Sequence, residues 1–210
     1  YKTALKYAEN HNSQDSKHVM VTLVNSQNTG MQIMPTHRLL KGIEKSIEDI
    51  KKEIEQYFHY KEFKGADKLL HKMDMLENQK SIIGLFHKET NTGLLLEFKS
   101  WGILESKMSD QSKSLRELDT NILHSFLLKD VFNIDTNRQE DLKHLSYLRG
   151  NKPALEMLKK EENYDLACFV NPPSLDDVFS IAESGETMPQ KSTYFFPKVY
   201  SGLITRCFNK

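Results

Sequence analysis

Apolar residues recur along Ile43, Ile47, Ile50, Ile54 and Phe58 at spacings of four, three, four and four, with Glu and Lys between them. That rhythm is one stripe of an amphipathic helix. Shorter helices are predicted over 1–10 (Ala4, Leu5 and Ala8 on one face), over 67–78 (Leu69, Leu70, Met73, Leu76), and from Pro153 through Lys160. A longer one is read over 115–132 from Leu115, Leu118, Ile122 and Phe126. Ser174 with Asp177 is an N-cap signature, and Gly185 suits the position just past the end of a helix over 175–184. Residues 59–64 fit neither period cleanly, and 105–114 are small and polar, as in a loop or a helix start.

Strands show a different pattern. H-V-M-V-T-L-V-N over 18–25 is β-branched and apolar on both faces, which predicts an inner strand. S-Q-N-T-G is turn chemistry, and 31–34 returns as its partner, stopped by Pro35. A second hairpin is predicted from 81–87 and 94–98 around K-E-T-N-T-G. Residues 142–148 and 164–170 read as further strands, the latter ended by Pro172-Pro173. Residues 194–196 and 202–208 make a last pair. Hairpins and helices interleave without a regular β-α-β period. The predicted class is therefore α+β, a mostly antiparallel sheet built from hairpins with interleaved amphipathic helices.

Composition narrows the function classes. Lys and Arg number 29 and so do Asp and Glu, so the net charge is zero. A nucleic-acid binder draws much of its affinity from a basic excess, so a nucleic acid is not the expected partner. The apolar runs at 82–86 and 94–96 are far shorter than the roughly 20 residues of a membrane span. Only Cys168 and Cys207 are present, both in apolar contexts, and they read as buried hydrophobes rather than a disulfide framework. Cytoplasm is the expected compartment. Eight histidines are scattered with no H-E-x-x-H and no C-x-x-C, so no metal site is expected.

Three stretches could carry chemistry. In Thr36-His37-Arg38, Arg38 offers a planar fork for phosphate or carboxylate, and His37 is a catalytic acid/base candidate. The plain alternative is a strand end with a buried, hydrogen-bonded His and a surface Arg. In Gln190-Lys191-Ser192-Thr193, a cation, two hydroxyls and backbone N–H groups can hold an anion. The glycines of a G-x-x-x-x-G-K-S/T loop are missing, and the alternative is a polar loop satisfying its own backbone. Asn171, before the two prolines, either points into the same cleft or caps a turn.

Y-K-T-A-L-K-Y, P-T-H-R-L-L, F-V-N-P-P-S-L-D-D-V and M-P-Q-K-S-T-Y-F-F-P-K together resemble a family of uncharacterised prokaryotic proteins, domain of unknown function 1015, sometimes labelled ParB-like. Members of that family are about twice this long, with a D-G-H-H-R motif before the Y-x-T-A-L helix. The resemblance thus implies that 1–210 is the C-terminal α+β domain of a longer protein. Similar turns in ParB proteins, sulfiredoxin and a free-serine kinase bind nucleotide or phosphate. The implied function is a cytosolic enzyme acting on a small phosphorylated metabolite or nucleotide, with a nucleotide and magnesium as candidate cofactors. The family supplies no site residues; from the motif chemistry above, Arg38, Asn171, Gln190, Lys191, Ser192 and Thr193 are the expected ligand contacts. The alternatives are a DNA-binding partition-like protein and a non-catalytic oligomerisation module, with 194–196 packing between copies.

Overall fold

A computed structural model of the chain describes residues 2–11, 13–27, 30–77 and 79–207. It divides into two compact units, one of residues 33–194 and one of 1–32 with 195–210.

The larger unit is built on a six-stranded sheet. In chain order its strands are β2 (Thr36–Leu40), β3 (Phe58–Lys64), β4 (Ile82–His87), β5 (Thr92–Phe98), β6 (Leu145–Arg149) and β7 (Leu166–Val170). They lie in the order β3-β5-β4-β7-β2-β6, and every neighbouring pair is antiparallel. A separate two-stranded sheet pairs β1 (Gln32–Met34) with β8 (Tyr194–Phe196). The α+β class with mostly antiparallel sheet is what the structure shows.

Both faces of the large sheet are covered, which explains why β2, β4 and β7 are buried along their whole length. Side chains alternate across a strand. Leu40, Ile83, Leu85, Cys168 and Val170 share one core with α2 (Ile47–Ile54) and with the helical segment that ends at Val131. Leu39, Ile82, Phe86, Ala167 and Phe169 share the other with α3 (Ala66–Asp74) and α7 (Asn151–Lys160).

The hairpin of β4 and β5 follows its sequence signal: Asn91 takes a positive φ of 52° in the turn, and His87 pairs with Thr92. The N-cap of α8 (Leu175–Glu183) is as expected, with the Ser174 side chain accepting from the Asp177 N–H in a reciprocal capping box. Residues 59–64, ambiguous by pattern, are most of the outer strand β3. The predicted helix over 43–58 is shorter, starting after the Ser46 cap and ending at Ile54, because Phe58 already pairs with Phe98. A short helix, α4 (Trp101–Lys107), occupies the start of the predicted loop.

The predicted helix over 115–132 is broken. α5 (Lys113–Arg116) ends before Leu118, which is extended, and α6 (Asp119–Ile122) runs into a π-helical stretch, Leu123–Val131. Leu115 and Leu118 pack on Ile181 of α8, whereas Ile122, Phe126 and Leu127 pack on the sheet. One straight helix cannot serve both surfaces.

In the smaller unit, α1 (Lys2–Asn10) is present as predicted. Residues 18–25 form no strand, and Val19, Met20, Val21, Leu23 and Val24 are exposed. β1 therefore has β8 rather than 18–25 as its partner. Residues 202–207 form no strand, and Cys207 is exposed rather than buried. The predicted start at Tyr1, the Asn28-Thr29 part of the first turn, Asn78 at a helix end and Phe208 at a strand end lie outside the described residues.

Candidate functional site

β2 runs between β7 and β6, and His37 and Arg38 point to opposite sides. His37 is on the side of Leu39 and packs edge-on against Phe169, ring centroids 5.1 Å apart. Its Nδ1 accepts the Val170 N–H at 3.4 Å. Asn151 lies close without closing a hydrogen bond of ordinary geometry on Nε2. Burial pushes the His37 pKa down to about 4, Asn151 partly opposing this and Arg38 adding to it. The imidazole is neutral and sealed in an apolar core.

Arg38 is on the side of Leu40 and is fully buried. Its guanidinium lies over the Tyr147 ring at 5.5 Å and donates to the Thr36 carbonyl. Nη2 donates to His124 Nε2 at 3.0 Å and to the Lys191 carbonyl at 3.3 Å. Nε has no partner, and no carboxylate pairs with Arg38 among the described residues. Burial lowers its pKa to about 10, which leaves it charged at neutral pH. A buried cation without a counter-charge is costly.

Two of these partners, His124 and Lys191, line a cleft of about 770 Å³. Tyr147, Gln190, Lys107 and Lys129 also face it. The lysines differ in their pairing. Lys107 meets Asp130 at 2.6 Å, and Lys129 meets Asp135 at 2.8 Å, holding that carboxyl down at about 2. Lys191 has no acidic partner among the described residues and its side chain is exposed. Its backbone, at φ 61°, brings its carbonyl to Arg38. Arg38 thus bears directly on the His124 imidazole, and Lys191 shares the cleft lining with it. His124 is partly exposed at the cleft wall but enclosed on its other sides, and burial first, then Arg38, lowers its pKa to about 3.

The structure therefore brings Arg38, Gln190 and Lys191 to one place. Ser192 is buried in the turn, its hydroxyl donating to the Pro189 carbonyl at 2.7 Å. Thr193 is half-buried beside it. Asn171 lines a different cavity and donates to the carbonyls of Leu76 and Gln79. His37 lies across the sheet from the cleft. His124 and Tyr147 carried no motif. The available signal for His124 was the company it keeps: Leu123, Phe126, Leu127, Leu128 and Val131 make that helix apolar nearly all round, and a buried polar group there needs a partner. Among the described residues no three His, Cys, Asp or Glu side chains assemble as metal ligands.

Residues 1–121 match a family described as a protein of unknown function (DUF1015). The chain belongs to that family. Among curated proteins nothing matches. Of solved structures, it is similar to a conserved hypothetical protein from Pyrococcus furiosus, at 15% identity and TM-score 0.45, covering 83% of this chain and 60% of that one. It is also similar to a free serine kinase in complex with AMP, at 11% identity and TM-score 0.46, covering 83% and 57%. A mutant of the free serine kinase in complex with ADP gives 12% and 0.43, over the same shares. The chain thus spans 57–60% of the length of these structures. No helix among the described residues is long and apolar enough to cross a membrane.

Proposed function

We propose that the cleft beside Arg38 holds the phosphate end of a small phosphorylated metabolite or nucleotide, as the ligand-binding part of an enzyme of that substrate class. The observation that carries this is Arg38 itself, a buried guanidinium with no acid, hydrogen-bonded to two residues of the cleft wall. Its charge lies under the cleft and need not touch the ligand to attract it, because protein between them screens far less than water. Lys191 supplies a second, mobile charge from the rim, and Gln190 an amide. Among the described residues no carboxylate pairs with either cation, and the acid of the cleft lining, Asp135, is held by Lys129, so an anion entering the cleft meets both charges.

The test is a titration of the purified protein with inorganic phosphate, phosphoserine, AMP and ADP, read by calorimetry and by thermal stabilisation, since a ligand that binds the native state alone raises Tm. Lys191→Ala is expected to weaken binding about fivefold, a charge-assisted hydrogen bond at an exposed rim, and to leave unliganded stability unchanged. Unchanged affinity in that variant would remove Lys191 from the site. No response to any of the four ligands would contradict the reading.

A further inference from the structure

Resting on that reading, we infer that Arg38 positions His124 as an obligatory Nδ1–H donor, so that the cleft presents His124 to an unprotonated phosphate oxygen as a hydrogen-bond donor and never as a base. The inference follows from one contact. A guanidinium has five N–H groups and no acceptor. At 3.0 Å from Arg38 Nη2, His124 Nε2 must therefore be the accepting nitrogen. A neutral imidazole accepting at Nε2 carries its proton on Nδ1. The tautomer is thus set by a neighbour that cannot exchange its role.

The other nitrogen is available. Among the described residues His124 makes no further hydrogen bond, and Nδ1 is not among the fully buried unsatisfied atoms. His124 lines the cleft with Gln190 and Lys191. Arg38 of β2 is the charge that bears on the ring, and the charged side chains that share the cleft lining with it are Lys191, Lys107, Lys129 and Asp135. A second proton on this ring would face Arg38 directly, so the ring remains neutral beside the guanidinium. With its lone pair committed to Arg38, His124 has nothing with which to take a proton from a ligand. Its remaining function is to donate. That makes Arg38 a positioning residue and His124 a ligand-contacting one.

Two measurements test this, one of them without ligand. Long-range proton–nitrogen correlation NMR of the histidine rings in the unliganded protein reads the tautomer. The expected result is Nδ1–H for His124, and an Nε2–H ring there would overturn the assignment. The second uses two substitutions that place an amide at different ring positions. Asn at 124 reaches about as far as Nδ1, and Gln about as far as Nε2. His124→Asn is expected to keep inorganic phosphate affinity within about twofold, and His124→Gln to lose about tenfold, the worth of one charge-assisted hydrogen bond. Equal losses in the two variants, or none in either, would overturn the donor role. A parent protein that binds phosphate while showing the wrong tautomer would sink this inference and leave the phosphate site standing. A parent protein that binds no phosphate would sink the site reading and the donor role with it.

Discussion

His37 and Arg38 are adjacent, both buried and both polar, yet strand alternation sends them to different worlds. On one face His37 is packed on Phe169, neutral, its acceptor turned to a backbone N–H. On the other face Arg38 is charged, has no acid among the described residues and reaches two residues of an open cleft. Burial of a polar residue is thus a poor sign of a site. What separates the two is whether the protein has already answered the group's electrostatic demand. For His37 it has, by leaving the ring uncharged. For Arg38 it has not, and a guanidinium cannot discharge itself at neutral pH.

That contrast can be broken on the His37 side first. Phe169→Ala opens a cavity beside His37 in a fully buried layer and is expected to cost about 3–5 kcal/mol in chemical denaturation. Whatever fraction remains folded should bind phosphate as the parent does. A large loss of affinity in the folded fraction would show the two faces to be coupled.

A smaller effect comes from pH. The folded-state pKa of His37 lies at about 4, below its ordinary 6.5, so between those values the unfolded chain binds the extra proton. Stability from this group is complete above pH 6.5 and falls as pH drops towards 4, by up to about 1.4 kcal/mol per pH unit. His124, lowered to about 3, acts in the same direction. Asp119, raised to about 7 chiefly by burial, acts in the opposite one and loses stability as pH rises from 3.8. The readout is therefore differential. His37→Asn, whose side-chain oxygen can still take the Val170 N–H, should flatten the acid limb relative to the parent and leave phosphate binding unaltered. Parallel acid limbs would contradict a neutral, buried His37.

Much of the larger unit was legible because its signals are local. The K-E-T-N-T-G turn, the Ser174–Asp177 cap and the apolar run of 166–170 ended by Pro172-Pro173 each determine their element within a few residues. The strand over 18–25 failed for the opposite reason: β-propensity states what fits a sheet, and a sheet also needs a partner, which this segment lacks among the described residues. β3 was obscured by His59, Lys61, Glu62 and Lys64, which suit an outer strand with exposed positions but resemble a polar loop. Of the site, the sequence pointed to Arg38 and to Gln190-Lys191 separately. His124, 86 residues from Arg38, was invisible until the fold joined them, because no motif spans such a distance.

The most direct measurement is phosphate calorimetry on the parent and on Arg38→Met, which keeps the buried volume and removes the charge. With the His124 ring between them, the ligand charge and the guanidinium are about 8 Å apart, and at an effective dielectric near 20 two unit charges then attract by about 2 kcal/mol, so losing most of that should weaken binding by about one order of magnitude. Unliganded Tm should hold steady or rise, because an unpaired buried cation costs more than a packed thioether. Phosphate affinity that survives in Arg38→Met, or a parent protein that binds no phosphate at all, would contradict the account.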